Sequence, residues 1–151
     1  MLAICACGSR TELDAFHEAG PCSPSAREIT IPITTPWTDT GIDVTAGTLV
    51  TIHASGKARY GPLAPQVTDA NGGNFDGQQF FPSAVYPKVV VCSLIGRIGD
   101  EPVPKKGGFV GVDYEESMTA SGRLFLGFND QVGQFGDNSG AFDVSVTTSC
   151  P

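Results

Sequence analysis

The chain is 151 residues long, carries a net charge of −7 at neutral pH, and has few charged residues beside many glycines and prolines. This length suits one domain, and an acidic domain lacks the basic surface that binds nucleic-acid backbones. The excess of carboxylates is compatible with a hard cation such as Ca²⁺, and equally with simple solubility.

The first seven residues are apolar or small and contain Cys5 and Cys7. They resemble the end of a lipoprotein signal, in which a cysteine follows an aliphatic and a small residue, although no basic segment precedes them. We therefore expect a secreted, periplasmic or cell-surface protein, with Cys5 or Cys7 as candidate lipid anchor. A cytoplasmic thiol-bearing protein is the alternative. Residues 1–27 are interpreted as a signal remnant or tether, and residues 28–151 as the domain.

The other cysteines are Cys22, Cys92 and Cys150, and no CxxC pair is present. With only two histidines in the chain, a zinc site is not expected. In an oxidising compartment two of these three cysteines could form a disulfide. The sequence leaves the pairing open.

From Glu28 onward, apolar and polar residues alternate in short segments separated by turn residues, which indicates about eight strands. Ile29, Ile31 and Ile33 predict an edge or bulged strand, because Pro32 cannot donate a ladder hydrogen bond. Further strands are expected at residues 40–44, 48–55, 107–112, 117–120, 122–128 and 141–148. Residues 88–99 are typical of a central strand buried on both faces. The predicted fold is an all-β single-domain sandwich of jelly-roll or Greek-key topology.

Three polar or aromatic features are interpreted as structural. His53 is expected to be a solvated strand residue, and Trp37 to pack in the core or at a sheet edge. The acidic run at residues 113–116 is typical of a solvated face, since the sequence places no second carboxylate opposite it. The chain has no Gly-x-Ser-x-Gly elbow and no P-loop lysine. We therefore expect a binding protein and not an enzyme.

The densest polar cluster is the loop at residues 129–140, between two apolar segments. Its carboxylates, amides and glycines offer Ca²⁺ hard oxygen ligands on a backbone free to curl around the ion. The spacing differs from that of an EF-hand. A hairpin loop, in which Asn, Asp and Gly serve only the turn geometry, is the alternative from composition alone.

Three sequence motifs occur in a fixed order along the chain. They are Ala54-Ser55-Gly56 leading to Arg59-Tyr60-Gly61-Pro62, then Leu94-Ile95-Gly96-Arg97-Ile98-Gly99, then Phe128-Asn129-Asp130 with Gly133 and Phe135-Gly136-Asp137-Asn138-Ser139-Gly140-Ala141-Phe142-Asp143-Val144. Together they resemble the PA-I galactophilic lectin family, calcium-dependent bacterial galactose lectins, over roughly residues 37–148. In that family a calcium ion bridges the protein and two sugar hydroxyls.

The resemblance implies a calcium site made only of oxygen ligands. The implied ligands are the backbone carbonyls of Tyr60 and Gln134 and side-chain oxygens of Asp130, Asp137 and Asn138. The family usually has Asn at the position of Asp137. The added charge should tighten calcium binding and change the hydrogen bonding near the sugar.

The resemblance also implies a sugar site, at which this chain departs from the family. The family has a His-Pro-x-Gln segment about fourteen residues after the tyrosine of Tyr-Gly-Pro, where this chain has Asn74-Phe75-Asp76-Gly77, followed by Gln78. The implied sugar contacts are Asn74, Asp76, Gln78, Asp130, Gln131 and Asp137.

The expected function is calcium-dependent binding of a galactose-type carbohydrate, with a homo-oligomer as one way to raise avidity. The alternative is a calcium-stapled structural subunit of the cell envelope or of an extracellular appendage, without sugar binding. The missing His-Pro-x-Gln segment favours this alternative.

Overall fold

The computed structural model describes residues 23–61, 66–73 and 77–150, which form two four-stranded antiparallel sheets packed as a sandwich. The strands are β1 (Ser25–Pro32), β2 (Trp37–Val44), β3 (Leu49–Ser55), β4 (Ala58–Arg59), β5 (Val67–Thr68), β6 (Leu94–Ile98), β7 (Glu101–Pro102), β8 (Asp113–Ser117), β9 (Gly122–Phe128) and β10 (Ala141–Ser149). Two 3₁₀ helices span Lys105–Gly107 and Phe135–Asp137. In these ranges, no helix is long and apolar enough to cross a membrane.

One sheet has the strand order β1-β10-β3-β8 and the other β2-β9-β6-β7, while β4 and β5 pair as a short ribbon. Along β10, Phe142, Val144 and Val146 are fully buried, and the residues between them face outward. The register places Val144 between Ile29 and Ala54, so apolar side chains of three strands form one row of the core. The predicted all-β sandwich is confirmed.

Period-two patterns located several strands correctly. The predicted segments 40–44, 48–55, 122–128 and 141–148 coincide with β2, β3, β9 and β10 within a few residues. β1 is an outer strand of its sheet, as Pro32 predicts, because it pairs with β10 alone.

The expected central strand at residues 88–99 is wrong in its first half. Only Leu94–Ile98 forms β6, and residues 88–93 make turns. Val89 and residues 91–93 are nonetheless buried, and the side chain of Asn129 donates hydrogen bonds to the carbonyls of Val89 and Val90. A buried turn and a buried strand show the same apolar composition, so periodicity did not separate them.

Two shorter predicted strands are also wrong. Residues 107–112 contain one isolated bridge, from Phe109 to Ile95, because Gly107, Gly108 and Gly111 adopt positive φ angles that interrupt a strand. The strand expected at residues 117–120 is replaced by β8, which carries the acidic run with Tyr114 pointing inward. The interpretation of that run as a solvated face is confirmed.

His53 and Trp37 have the structural roles expected of them. The His53 side chain is 62% exposed, and its Nδ1 lies 2.7 Å from Oδ1 of Asp113 on the neighbouring strand. Trp37 begins the outer strand β2, packs edge-to-face against Tyr86 and lies under the guanidinium of Arg97. Neither residue faces the cavity described below.

Cys92 is a buried free thiol. Of the three cysteines considered for a disulfide, Cys22 and Cys150 therefore remain as the predicted pair. Cys22, Cys5 and Cys7 lie outside the described residues.

Candidate metal and sugar site

The loop between β9 and β10 folds back against the corner that follows β4. Arg59 and Ser139 exchange two backbone hydrogen bonds, of 2.9 and 2.8 Å, which fix the corner beside the loop. Within the loop, Gln134 N donates to Gln131 O, and the short helix that follows buries Phe135. The ring anchors the loop to the core, while Gln134 and Asp137 stay exposed and Asn138 is buried.

All five predicted metal ligands line one cavity of about 100 Å³. They are Tyr60, Asp130, Gln134, Asp137 and Asn138. Among the described residues, Gly61, Phe81, Cys92 and Gln131 complete the wall. Residues distant in sequence are thus brought together as the resemblance implies.

Asn138 cross-links the cavity through its amide. Nδ2 donates to Asp130 Oδ2 at 2.8 Å and to the Ile33 carbonyl at 3.1 Å, while Oδ1 accepts from Gly61 N at 3.2 Å. The second carboxylate oxygen of Asp130 accepts from Gln131 N at 2.7 Å. The amide is buried and the Asp130 carboxylate half-buried, and these hydrogen bonds hold the amide with Nδ2 toward Asp130 and Oδ1 toward Gly61 N.

The donor chemistry of the cavity fits calcium. The carboxylates of Asp130 and Asp137 supply negative charge, and the Asn138 amide and nearby backbone carbonyls supply further hard oxygens. Over the described part of the chain, no three or more His, Cys, Asp or Glu residues are placed so that they could hold a metal ion on their own. A cation held here would therefore use amide and carbonyl oxygens beside the two carboxylates.

Asn129 is a positioning residue that the sequence reasoning missed. It is fully buried, and its Nδ2 donates to the carbonyls of Tyr86, Val89 and Val90 at 3.2, 2.9 and 3.1 Å. Its Oδ1 accepts from Tyr86 N at 2.9 Å. Asn129 thereby fixes the 86–90 turn directly beside Asp130. An amide immediately after an apolar strand was the available signal, and Asn129 entered the sequence analysis only as part of the 129–140 loop and the Phe128-Asn129-Asp130 motif.

Cys92 is a second residue of the cavity that was not anticipated. Its backbone has φ of 62°, a left-handed conformation uncommon for a residue other than glycine. Burial, and secondarily the nearby charge of Asp130, raise the pKa of its thiol to about 12. Cys92 therefore contributes a small, neutral surface to the cavity at physiological pH.

The implied sugar contacts divide into three groups. Asp130, Gln131 and Asp137 line the cavity. Gln78 is exposed and is not among the described residues of the cavity wall. Asn74 and Asp76 lie outside the described residues.

Comparisons with known proteins agree with this geometry. The family model described as "PA-IL-like protein" matches residues 36–150. A solved structure described as "EclA N-terminal domain; PllA-like lectin" is 30% identical, with a TM-score of 0.63, covering 81% of this chain and 95% of that chain. A search of curated proteins finds no significant match. Because the family match spans well over half of the sequence, the chain belongs to the PA-IL-like family.

Proposed function

We propose that this protein is a calcium-dependent carbohydrate-binding protein of galactose-type specificity, with its site in the cavity of the 129–140 loop, and not an enzyme. Family membership supports a carbohydrate-binding module. The observation that carries the location is the convergence of all five implied ligands on one cavity.

The cation would be held by the side chains of Asp130, Asp137 and Asn138 and by the carbonyls of Tyr60 and Gln134. When bound, calcium offers a Lewis-acidic surface that sugar hydroxyls can coordinate. In the structure, Nδ2 of Asn138 rather than Oδ1 faces Asp130, so coordination by Oδ1 requires the amide to rotate. Asp137 adds a carboxylate where the family usually has Asn, and this added negative charge favours the binding of a divalent cation in place of water.

The walls of the cavity suit a small polar ring. Asp130, Gln131 and Asp137 offer hydrogen-bond partners for hydroxyl groups, and Asn74, Asp76 and Gln78 are proposed to complete the contacts. Phe81 provides an apolar surface against which the C–H face of a sugar can pack.

We further propose an exported protein, secreted or held at the cell surface or in the periplasm, with Cys5 or Cys7 as lipid anchor. One small sugar on an open site binds weakly, so a homo-oligomer or a high surface density would raise avidity.

Calorimetric titration of galactose, first with calcium and then with a chelator, tests the proposal. We expect binding heat that disappears on chelation. Asp130→Ala should abolish both calcium and galactose binding. Asp143→Ala removes a carboxylate from the exposed face of β10 and should retain both.

Full calcium affinity in Asp130→Ala would show that the site is misplaced. Calcium binding by the wild type without binding of any sugar on a glycan array would favour the structural alternative, a calcium-stapled envelope or appendage subunit. Gln78 is exposed and does not belong to the described cavity wall, and this observation supports the structural alternative.

A further inference from the structure

A second cavity, of about 190 Å³, is lined by residues that are close in sequence to part of the first cavity's wall. Its described lining residues are Phe80, Lys88, Val89, Val90, Lys106 and Phe109. Phe81, which directly follows Phe80, and Cys92, which lies two residues after Val90, line the first cavity. Residues 80–92 therefore contribute to both cavities.

The base of this second cavity is apolar and held in place. The ring of Phe109 packs so closely on the backbone of Gly111 that a Cβ there would lie 2.7 Å from its Cζ. Val89 is buried, and the Val90 carbonyl accepts from Ser93 Oγ at 2.7 Å as well as from Asn129. The surface is thus formed before a ligand binds, which lowers the entropy cost of binding.

Phe80 gives this cavity an exposed aromatic wall. Its side chain is 50% exposed, although large hydrophobic residues usually gain about 2 kcal/mol by burial. An accessible ring beside a concave surface offers a platform for the C–H face of a ligand.

Two lysines give the cavity a positive charge that contrasts with the acidic chain. Lys88 and Lys106 are exposed, and no ion pair to either of them occurs within the described residues. No acidic residue appears among the described lining residues. Nζ of Lys106 lies 5.6 Å from the ring centroid of Phe109, directly above the apolar base. In a protein of net charge −7, this local excess of cations favours an anionic ligand.

We propose that the cavity of Phe80, Lys88, Lys106 and Phe109 is a second, calcium-independent site that binds a carboxylated sugar unit of the uronic-acid type. The carboxylate pairs with Lys88 and Lys106, and the apolar face of the ring packs on Phe80. The choice of a sugar as ligand rests on the proposed function. The two cavities would then recognise a glycan that carries both a galactose-type and an acidic unit.

The test is an NMR titration of the full chain, in the presence of a chelator, with methyl β-glucuronide and with its neutral analogue methyl β-glucoside. We expect saturable shifts of the amides around residues 88–90 and 106–109, and at least about tenfold weaker binding of the glucoside. The double variant Lys88→Ala/Lys106→Ala should bind methyl β-glucuronide more weakly than the wild type by a similar factor. Lys57→Ala, whose lysine lines a different cavity, is the matched control and should bind like wild type.

Equal binding of the two glycosides, absence of shifts at these amides, or an unaffected double variant would overturn the second site. Galactose with calcium is titrated into the same samples. Galactose binding without glucuronide binding would refute only the proposed second site. Glucuronide binding without galactose binding would refute the proposed galactose function and support the second site.

Discussion

At the scale of single residues, Asn129 has four hydrogen bonds to one turn and is completely buried. Asn129→Ala would remove the partner of the half-buried Tyr86 N–H and of the buried Val89 carbonyl. We expect a loss of about 3 kcal/mol in the free energy of unfolding, measured by urea denaturation, and weaker calcium binding because the turn borders Asp130.

The control for this variant is Asn71→Ala. The exposed Asn71 residue accepts one side-chain hydrogen bond, from Val112 N, and its removal should cost less than about 1 kcal/mol. Similar losses in the two variants would show that the 86–90 turn does not depend on Asn129.

The metal side of the candidate site could be anticipated because four of its five residues lie in one nine-residue stretch. Asp130, Gln134, Asp137 and Asn138 keep their spacing whatever the rest of the chain does, so a local motif suffices. Asn129 and Cys92 could not be assigned in this way. Their roles depend on contacts between Asn129, which follows β9, and residues 86–92, some 40 positions earlier in the chain.

At the scale of elements, β9 packs tightly against the segment that directly precedes β2. A Cβ at Gly127 would overlap the carbonyl oxygen of Pro36. Gly127→Ala should therefore lower the free energy of unfolding by about 2 kcal/mol or more, since a backbone atom cannot move aside as a flexible side chain would. Gly73→Ala, where a Cβ meets no atom within 4 Å, should change it little. Equal thermal stability of the two variants would contradict this packing.

The ladder of β1 and β10 brings the two ends of the domain together. Ser25 lies opposite Thr148, and Cys150 lies two residues beyond Thr148. Cys22 precedes Ser25 by three residues, so a bond with Cα atoms about 5.5–6 Å apart is within reach. We expect a Cys22–Cys150 disulfide, detectable by mass spectrometry of a non-reduced digest. Its reduction should lower the thermal midpoint, and Cys22→Ser should remove that sensitivity. A digest in which both cysteines carry free thiols would refute the pairing.

The elements that the sequence predicted best are those with one solvated face. β10 alternates strictly between buried and more exposed residues, because one face meets the core and the other meets water. Within residues 88–93, Val89 and residues 91–93 are buried although they form turns, so their apolar composition carries no period, and the amide of Asn129 bonds to two of their carbonyls. At residues 107–112 the apolar pattern resembles a strand, but the positive φ angles of the glycines prevent a continuous strand conformation.

At the scale of the whole molecule, the sheet order could not be read from local patterns. β1 pairs with β10 across more than a hundred residues, and β3 lies between β10 and β8. Period-two alternation shows that a strand has a buried face, but it does not identify its neighbours. The fold class was therefore predictable from the sequence, and the topology was left between jelly-roll and Greek-key forms.

Stability should fall in strong alkali because of a buried phenol. Tyr114 is 2% exposed, and its burial raises the pKa of the hydroxyl from 10.0 to about 12. The unfolded chain releases this proton more easily than the folded one. The stabilising contribution of the protonated hydroxyl to the free energy of unfolding is therefore complete below pH 10 and is lost between about pH 10 and 12. Urea midpoints at pH 9 and pH 11 should differ more in the wild type than in Tyr114→Phe. An identical difference in the two proteins would exclude Tyr114 as the cause.

The β1–β10 pairing also sets the direction in which the binding end faces. Pro32 lies opposite Ala141, next to the 129–140 loop, whereas Ser25 lies opposite Thr148, about 23 Å further along the strands. A tether, tag or fused domain upstream of Ser25 therefore joins the sandwich at the end remote from the cavity. Molecules immobilised through that end would present their cavities outward, which makes N-terminal capture the appropriate orientation for a biosensor chip.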